Sequence, residues 1–237
     1  MRFIRNYQTL RKMSNIIQIE DKCISIIYNT LARFNKIDNI EYILDLGCRD
    51  AKEAVEFSKL FPKAKIISIE ANPEQISTIE ENIKNYPNIK VYNFGASDKN
   101  EVLNFYPSDT INKGNSSFLE INHNYDHMES MRFKEPIKVE TKRLDEFLKK
   151  NNVPKIDILW MDIQGFEKKA LDGLSDYIKE VKALYCEVTY KEMYKGQALF
   201  DKIDYMLMKN NLCCVYRDYK HDDFWGDAIY INLSKIK

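Results

Sequence analysis

Short apolar runs that alternate with segments of helical period constrain this chain more than any other feature. "YILDLG" stops at Gly47, and Ala51, Ala54, Val55, Ser58 and Phe61 then recur at helical spacing. "AKIISIEAN" is a second run, followed by Asn72 and Pro73 as an N-cap and a first-turn proline. Ile76, Ile79 and Ile83 give the next helix its buried stripe, and "NIKVYNFGASD" reads as a third strand. "KIDILWMDIQG" and "KALYCEV" are the fourth and fifth, ending at Asp162 and Glu187, each with a helical pattern after it. "LCCVYRD" and "DAIYINL" close the chain with no helix between them. Repeated strand-helix units predict a mostly parallel sheet covered by helices on both faces, and the closing hairpin predicts antiparallel pairing at one edge.

The alternation pauses once. "EVLNFY" and "IKVETKRL" read as short strands, separated by a polar stretch from Pro107 to Glu135, and "LDEFLKKNN" as a short helix. Structureless stretches of that length are uncommon in compact domains and serve as lids or binding loops. Upstream, Cys23, Ile26, Ile27, Leu31 and Phe34 share one helical face, so residues 1–40 are expected to form a helical cap on a domain spanning 41–237.

Composition narrows the class. Lys+Arg (36) equal Asp+Glu (36), which counts against a general nucleic-acid binder, since such proteins carry a basic excess. The five cysteines include no CxxC pair and suit a reducing compartment. The basic N-terminus lacks an apolar core and no run approaches the ~18 residues of a membrane span. The expected location is the cytoplasm, or a host's cytoplasm for a viral source, with no membrane partner.

In doubly wound sheets ligands bind beyond the carboxyl ends of the strands. There this sequence places Asp45-Leu46-Gly47, Glu70, Gly95-Ala96-Ser97-Asp98, Asp162 and Glu187. Any one acid at a strand end can simply cap the next helix. Glu70, however, follows Gly47 at about the offset at which a carboxylate reaches a ribose diol.

"DLGCRD", "SIEANPE", "NFGASDKNEVLNFY", "TKRLDEFL" and "IDILWMDIQGFEKKALDGL" follow one another as in the FkbM-type methyltransferases, which the chain resembles from about Ile43 to Leu233. The resemblance implies a Rossmann-like class I methyltransferase fold, a seven-stranded mostly parallel α/β sheet with an antiparallel edge strand, and S-adenosylmethionine as cofactor. It implies that Glu70, followed by Ala71, holds the ribose hydroxyls, that Asp45 and Gly47 lie beside the methionine moiety, that Ala96 and Ser97 border the adenine, and that Asp162 faces the sulfonium. The first turn, usually Gly-Ala-Asn-x-Gly in the family, is Gly47-Cys48-Arg49-Asp50-Ala51 here. S-adenosylmethionine has no pyrophosphate to accommodate, so fewer glycines are needed. Arg49 is expected to pair with Asp50 or Glu70, or to approach the methionine carboxylate. Gln164 stands where the family commonly has Glu, which puts any charge-based role there in doubt.

Methyl transfer to a hydroxyl needs an acceptor for the hydroxyl proton. Asp162 is the first candidate and Glu187 the second, with His123, His127 and His221 as alternatives that titrate near neutrality. Asp162 and Glu187 could instead share Mg²⁺, a less favoured variant. Tyr190, Tyr194 and Trp225 could stack on a sugar or serve as packing. The expected reaction is methyl transfer from S-adenosylmethionine to a hydroxyl of a sugar, glycan or other small molecule. Nucleic-acid ribose or protein as acceptor, and a methyltransferase-like binding module without turnover, stay open. Oligomeric state is not legible.

Overall fold

The computed structural model describes residues 19–109, 114–124, 132–220 and 223–236. His127, His221 and residues 1–18 of the expected 1–40 cap lie outside the described residues.

The sheet forms where the apolar runs predict it. The strands are β1 (Tyr42–Leu46), β2 (Lys65–Glu70), β3 (Ile89–Asn93), β4 (Gly95–Ser97), β5 (Glu101–Phe105), β6 (Ile137–Arg143), β7 (Ile158–Met161), β8 (Ala183–Thr189), β9 (Leu212–Arg217) and β10 (Trp225–Asn232). Seven of them form one sheet in the order β3-β2-β1-β7-β8-β10-β9. β3, β2, β1, β7 and β8 are parallel. β10 runs antiparallel to both β8 and β9, so the closing hairpin supplies the antiparallel edge.

The helices are α1 (Lys22–Arg33), α2 (Lys52–Leu60), α3 (Ile76–Ile83), α4 (Leu144–Lys150), α5 (Glu167–Leu174) and α6 (Phe200–Met208). One core packs α1, α2 and α3 on one face, around Ile27, Phe57, Ile79, Ile43, Ile158 and Ile229. The other packs α4, α5 and α6 on the opposite face, around Leu148, Leu171, Ile203, Leu44, Leu159 and Leu184. Both faces are covered, which is why the central strands are apolar at nearly every position.

Three local readings are corrected. The single third strand breaks at Phe94. β3 stays in the main sheet, while β4 pairs with β6 in a second sheet of order β4-β6-β5. Only Asn93 and Gly95 interrupt the pattern around Phe94, so periodicity alone does not mark the change of partner. On α1, Ile24 joins Cys23, Ile27 and Leu31 in the core. Phe34 is the C-cap, 47% exposed, because the helix ends before its side chain returns to the buried face. β8 continues past Glu187 to Thr189, since β10 pairs with it as far as Trp225. The N-cap at Asn72 is as read: its side chain accepts from Glu74 N at 3.0 Å and opens a 3-10 turn over Pro73–Gln75.

Candidate active site

The period of two within each strand decides what reaches the C-terminal edge of the sheet. Asp45 is in register with Ser68 on one side and Trp160 on the other, and Tyr185 and Ile229 continue that row. One step further toward the edge, the same face carries Glu70, Asp162, Glu187 and Asp227, with Glu187 and Asp227 directly paired across β8 and β10. Four strands therefore bring four carboxylates to one edge, with Asp45 a step below them.

Above this edge lies a narrow, partly open cleft. Gly47, Arg49, Glu70, Ala71, Ala96 and Asp162 line it. Asp45, Ser97 and Glu187 are not among its lining residues. Asp45 is 1% exposed and accepts from Ser68 Oγ at 3.1 Å, while its Oδ1 is buried without a partner. Ser97 is fully buried, its hydroxyl 3.3 Å from Asp98. Glu187 stands behind Gln164.

Gly47 has a sharper requirement than an approach to a ligand. It adopts φ +80°, and a Cβ there would lie 1.9 Å from the Asp162 carbonyl oxygen. β1 and β7 thus leave the sheet in backbone contact, which brings their end residues together. The rest of the first turn stays left-handed without glycine: φ is 48° at Arg49 and 61° at Ala51. Such a conformation costs roughly 1–2 kcal/mol per non-glycine residue. Arg49 reaches Asp50 only at 3.7 Å, and Lys52 pairs more closely with the same carboxylate, at 2.7 Å.

Glu70 is 7% exposed. Its Oε2 accepts from Arg49 N at 2.9 Å and its Oε1 from Asn72 N at 2.7 Å. Each oxygen keeps a further lone pair for a diol. Burial pushes its carboxyl upward, and those backbone donors pull the other way.

At the other end the cleft is apolar. Phe94, Phe105, Phe118 and Phe166 line it beside Gly95 and Ala96. A Cβ at Gly95 would lie 2.3 Å from the Phe118 ring, so glycine lets that ring lie on β4. Phe118 also packs on Phe105 and Phe166, with ring centroids 5.0 Å apart in each case. These phenylalanines escaped the sequence reading. The sequence signal specific to Phe118 is only its apolar character within a polar stretch. The same stretch contributes Gly114 and Ser116 to the lining.

Between Asp162 and Glu187 sits the Gln164 side chain. Its Nε2 donates to Asp162 Oδ1 at 2.6 Å and to Glu187 Oε2 at 2.7 Å. Its Oε1 accepts from Tyr194 Oη–H at 2.7 Å. Burial raises the Asp162 carboxyl, opposed by the Gln164 hydrogen bond and by Arg49. Burial, then the neighbouring Asp162 charge, raises Glu187 well above the usual carboxylate range. Glu167, behind them at the start of α5, is pushed up to about 7 by burial, although it accepts from Gly165 N and Ile163 N.

A cation shared by Asp162 and Glu187 would take the place that the Gln164 amide fills. That donor set does not fit Mg²⁺ as arranged, and among the described residues no group of three His, Cys, Asp or Glu is placed to hold a metal. His123 lies at a surface hollow with Tyr106, Glu120 and Arg132. Tyr194 is 1% exposed. Tyr190 stacks on Tyr219 at 4.6 Å, and Trp225 packs beside Phe224 and Ile121. These aromatics are packing in this structure. Phe133 lies over Tyr194 at 6.5 Å and near-parallel, which ties the polar stretch to the Gln164 anchor.

The sheet order and the acidic C-terminal edge are those of a class I S-adenosylmethionine-dependent methyltransferase. The chain belongs to the FkbM methyltransferase family, whose domain profile matches residues 45–218. It is 28% identical over 195 residues to the 2-O-methyltransferase NoeI of Sinorhizobium fredii, covering 80% of this chain and 79% of that protein. Methyltransferase 1 of Beauveria bassiana is 25% identical over 149 residues, 57% of this chain and 59% of that one. Among solved structures, an FkbM methyltransferase from Methylobacillus flagellatus superposes with a TM-score of 0.55 at 13% identity, over 81% of this chain but 44% of its own length. An rRNA methylase from Streptococcus thermophilus superposes at 0.51 with 9% identity, over 91% of this chain and 99% of that one. At such identities the superpositions speak for the fold.

The residues present fit the family's cofactor. Glu70 offers a diol acceptor, the phenylalanine end an apolar slot for a base, and the carboxylate edge a favourable field for a sulfonium cation. Among the described residues no helix is long and apolar enough to cross a membrane.

Proposed function

We propose that this chain is an O-methyltransferase acting on a hydroxyl of a sugar or glycan. One observation carries the reading: Asp162 lines the cleft, and a second carboxylate, Glu187, is held one amide away from it. When bound, S-adenosylmethionine supplies a methyl group already activated on a sulfonium. Glu70 would hold the ribose, with Ala71 beside it. Gly47 and Arg49 would border the methionine end over the buried Asp45. Ala96 would flank the base, with Ser97 supporting it from below. Asp162 would take the proton of the attacking hydroxyl, and Glu187 would hold the Gln164 amide that orients Asp162. Burial raises both carboxyls above their ordinary range, which makes them stronger bases. Alignment of hydroxyl and methyl supplies much of the remaining rate.

The sugar hydroxyl is supported by the 2-O-methyltransferase relative and by zero formal net charge, which does not favour a polyanionic acceptor. The polar stretch 107–135 and the N-terminal cap over 1–40 would select the acceptor within the cytoplasm. The test is incubation with S-adenosylmethionine and a panel of mono- and oligosaccharides, RNA and protein, read by mass spectrometry. A methyl ether on a sugar, abolished by Asp162→Asn with cofactor binding retained, is the expected result. Methylation confined to RNA or protein overturns the acceptor class. Cofactor binding without any turnover overturns the enzyme.

A further inference from the structure

The polar stretch has a second concave side. Phe105 and Phe118 line the cleft, while Tyr106 and Glu120, a step further along the same two segments, line a surface hollow of about 320 Å³, at the lower end of the size of small-molecule sites. Among the described residues the hollow and the cleft share no lining residue. They adjoin at Tyr194, whose ring lies near-parallel to Phe133 of the hollow and whose hydroxyl donates to Gln164 of the cleft. Backbone bonds fix this place: Tyr106 N donates to Ser117 O at 2.8 Å, Asn122 N to Met193 O at 2.9 Å and Lys195 N to Glu120 O at 2.9 Å. Ile121, Tyr194 and Phe224 are buried there as a small core of their own, with Phe133 packed on it.

The lining mixes ring faces with charge. Tyr106 stacks with Phe133 at 5.6 Å. Glu120 stands 3.5 Å from the Tyr106 hydroxyl and pairs with Lys195 at 2.7 Å, and Arg132 and His123 line the same hollow. A sugar needs this combination: its C–H face packs on an aromatic ring, and its vicinal hydroxyls meet a carboxylate that accepts and cations that donate. A phosphate chain fits less well, because Glu120 stands beside the rings and the protein has no net positive charge. We propose that this hollow is a second acceptor subsite, which takes the sugar unit next to the one methylated, so that the acceptor is an oligosaccharide rather than a single sugar. This rests on the sugar-methyltransferase reading above. The hollow lies outside the cleft that Asp162 lines, so one sugar ring does not fill both. Two linked units do: the first presents its hydroxyl at Asp162, and the second lies against Tyr106 with Glu120 at its hydroxyls.

The test is binding of the protein, loaded with S-adenosylhomocysteine, to an array of immobilised mono- and oligosaccharides and to an RNA oligonucleotide. The best-bound glycan is then titrated in solution against wild type, Tyr106→Ala and Glu120→Ala. Oligosaccharides should bind at least about tenfold more tightly than their component single sugars, and each variant should lose about tenfold of that affinity. S-adenosylhomocysteine affinity should stay within about twofold of wild type in both variants. The Glu120 side chain is exposed, so Glu120→Ala decides alone if Tyr106→Ala fails to fold. Equal affinity for single sugars and oligosaccharides, wild-type affinity in either variant, or no glycan bound by the loaded protein would overturn the subsite. RNA binding that depends on Tyr106 would overturn the sugar as its occupant. A single sugar methylated as fast as any oligosaccharide would leave the proposed function standing and overturn the subsite alone. Failure of wild type to bind S-adenosylhomocysteine overturns instead the methyltransferase reading on which this rests.

Discussion

Asp157 and Asp162 lie at the two ends of β7 and have opposite surroundings. Asp157, at the N-terminal end, is completely buried. It accepts from the backbone of Glu41 at 2.8 Å and of Tyr42 at 3.0 Å, and pairs with Lys182 at 2.7 Å and Lys155 at 3.4 Å. Its carboxyl is held below the ordinary range: those donors and cations outweigh the burial that opposes them. At the C-terminal end Asp162 shares one amide with Glu187 and faces further acids, and its carboxyl is pushed up. One end of the sheet neutralises its charge and the other accumulates it. The difference separates a carboxylate that holds strands together from carboxylates that the proposed function keeps available for a ligand.

Asp157→Ala should break this comparison most severely. It takes the carboxylate from Lys182, which keeps its bond to the Asn39 carbonyl, leaves two backbone N–H groups without their side-chain acceptor, and should cost about 3–5 kcal/mol in a urea unfolding titration. Cofactor affinity per folded molecule should be unchanged. A loss under about 1 kcal/mol would mean that the N-terminal end is not what fastens β1, β7 and β8.

The two ends should also respond to pH with opposite signs. Asp157 has a folded-state pKa below its ordinary 3.8, so its stabilisation is complete above about pH 4 and is lost as pH falls further. Glu167 is raised from 4.5 to about 7, so the folded state binds the extra proton and stability is lost as pH rises through that window. A shift of that size corresponds to about 3 kcal/mol. Glu167→Gln should make this decline shallower between about pH 5 and about pH 8, leaving the part that belongs to the other buried carboxyls. A decline that persists unchanged would assign it to Asp45 or Glu187, which burial also raises.

Glu70→Gln keeps the shape and one acceptor but removes the charge. S-adenosylmethionine affinity should fall by about tenfold, or 1.4 kcal/mol, with stability within about 1 kcal/mol of wild type. Wild-type affinity in this variant would remove Glu70 from the cofactor site. The smallest effect belongs to Arg49→Ala. Its ion pair is long and its side chain 39% exposed, so stability should change by less than about 0.5 kcal/mol. A larger loss would make Arg49 a structural counterion like Lys182.

Much of this was legible in the chain because it depends on local pattern. Apolar runs of strand length fixed β1, β2, β7 and β8, and the five ordered segments identified the family and pointed to Glu70 and Asp162, both of which line the cleft. The break at Phe94 was not legible, because local pattern carries no mark of which strand will pair with which half of the run. The four phenylalanines of the cleft come from four separate segments, and no spacing connects Phe94 to Phe105, Phe118 and Phe166.

Gln164 shows the boundary most clearly. Its sequence position marks a departure from the family's usual glutamate. Its amide gains meaning only once β8 sets Glu187 beside Asp162 and the segment after β8 brings in Tyr194. The sequence by itself determined the kinds of element, their order and the acids at the strand ends, because periodicity and turn chemistry act over a few residues. Which acids meet, what stands between them and which end of each strand is neutralised were decided by the tertiary structure. Those contacts join residues far apart in the chain, and only the register of the folded sheet brings them within hydrogen-bonding distance.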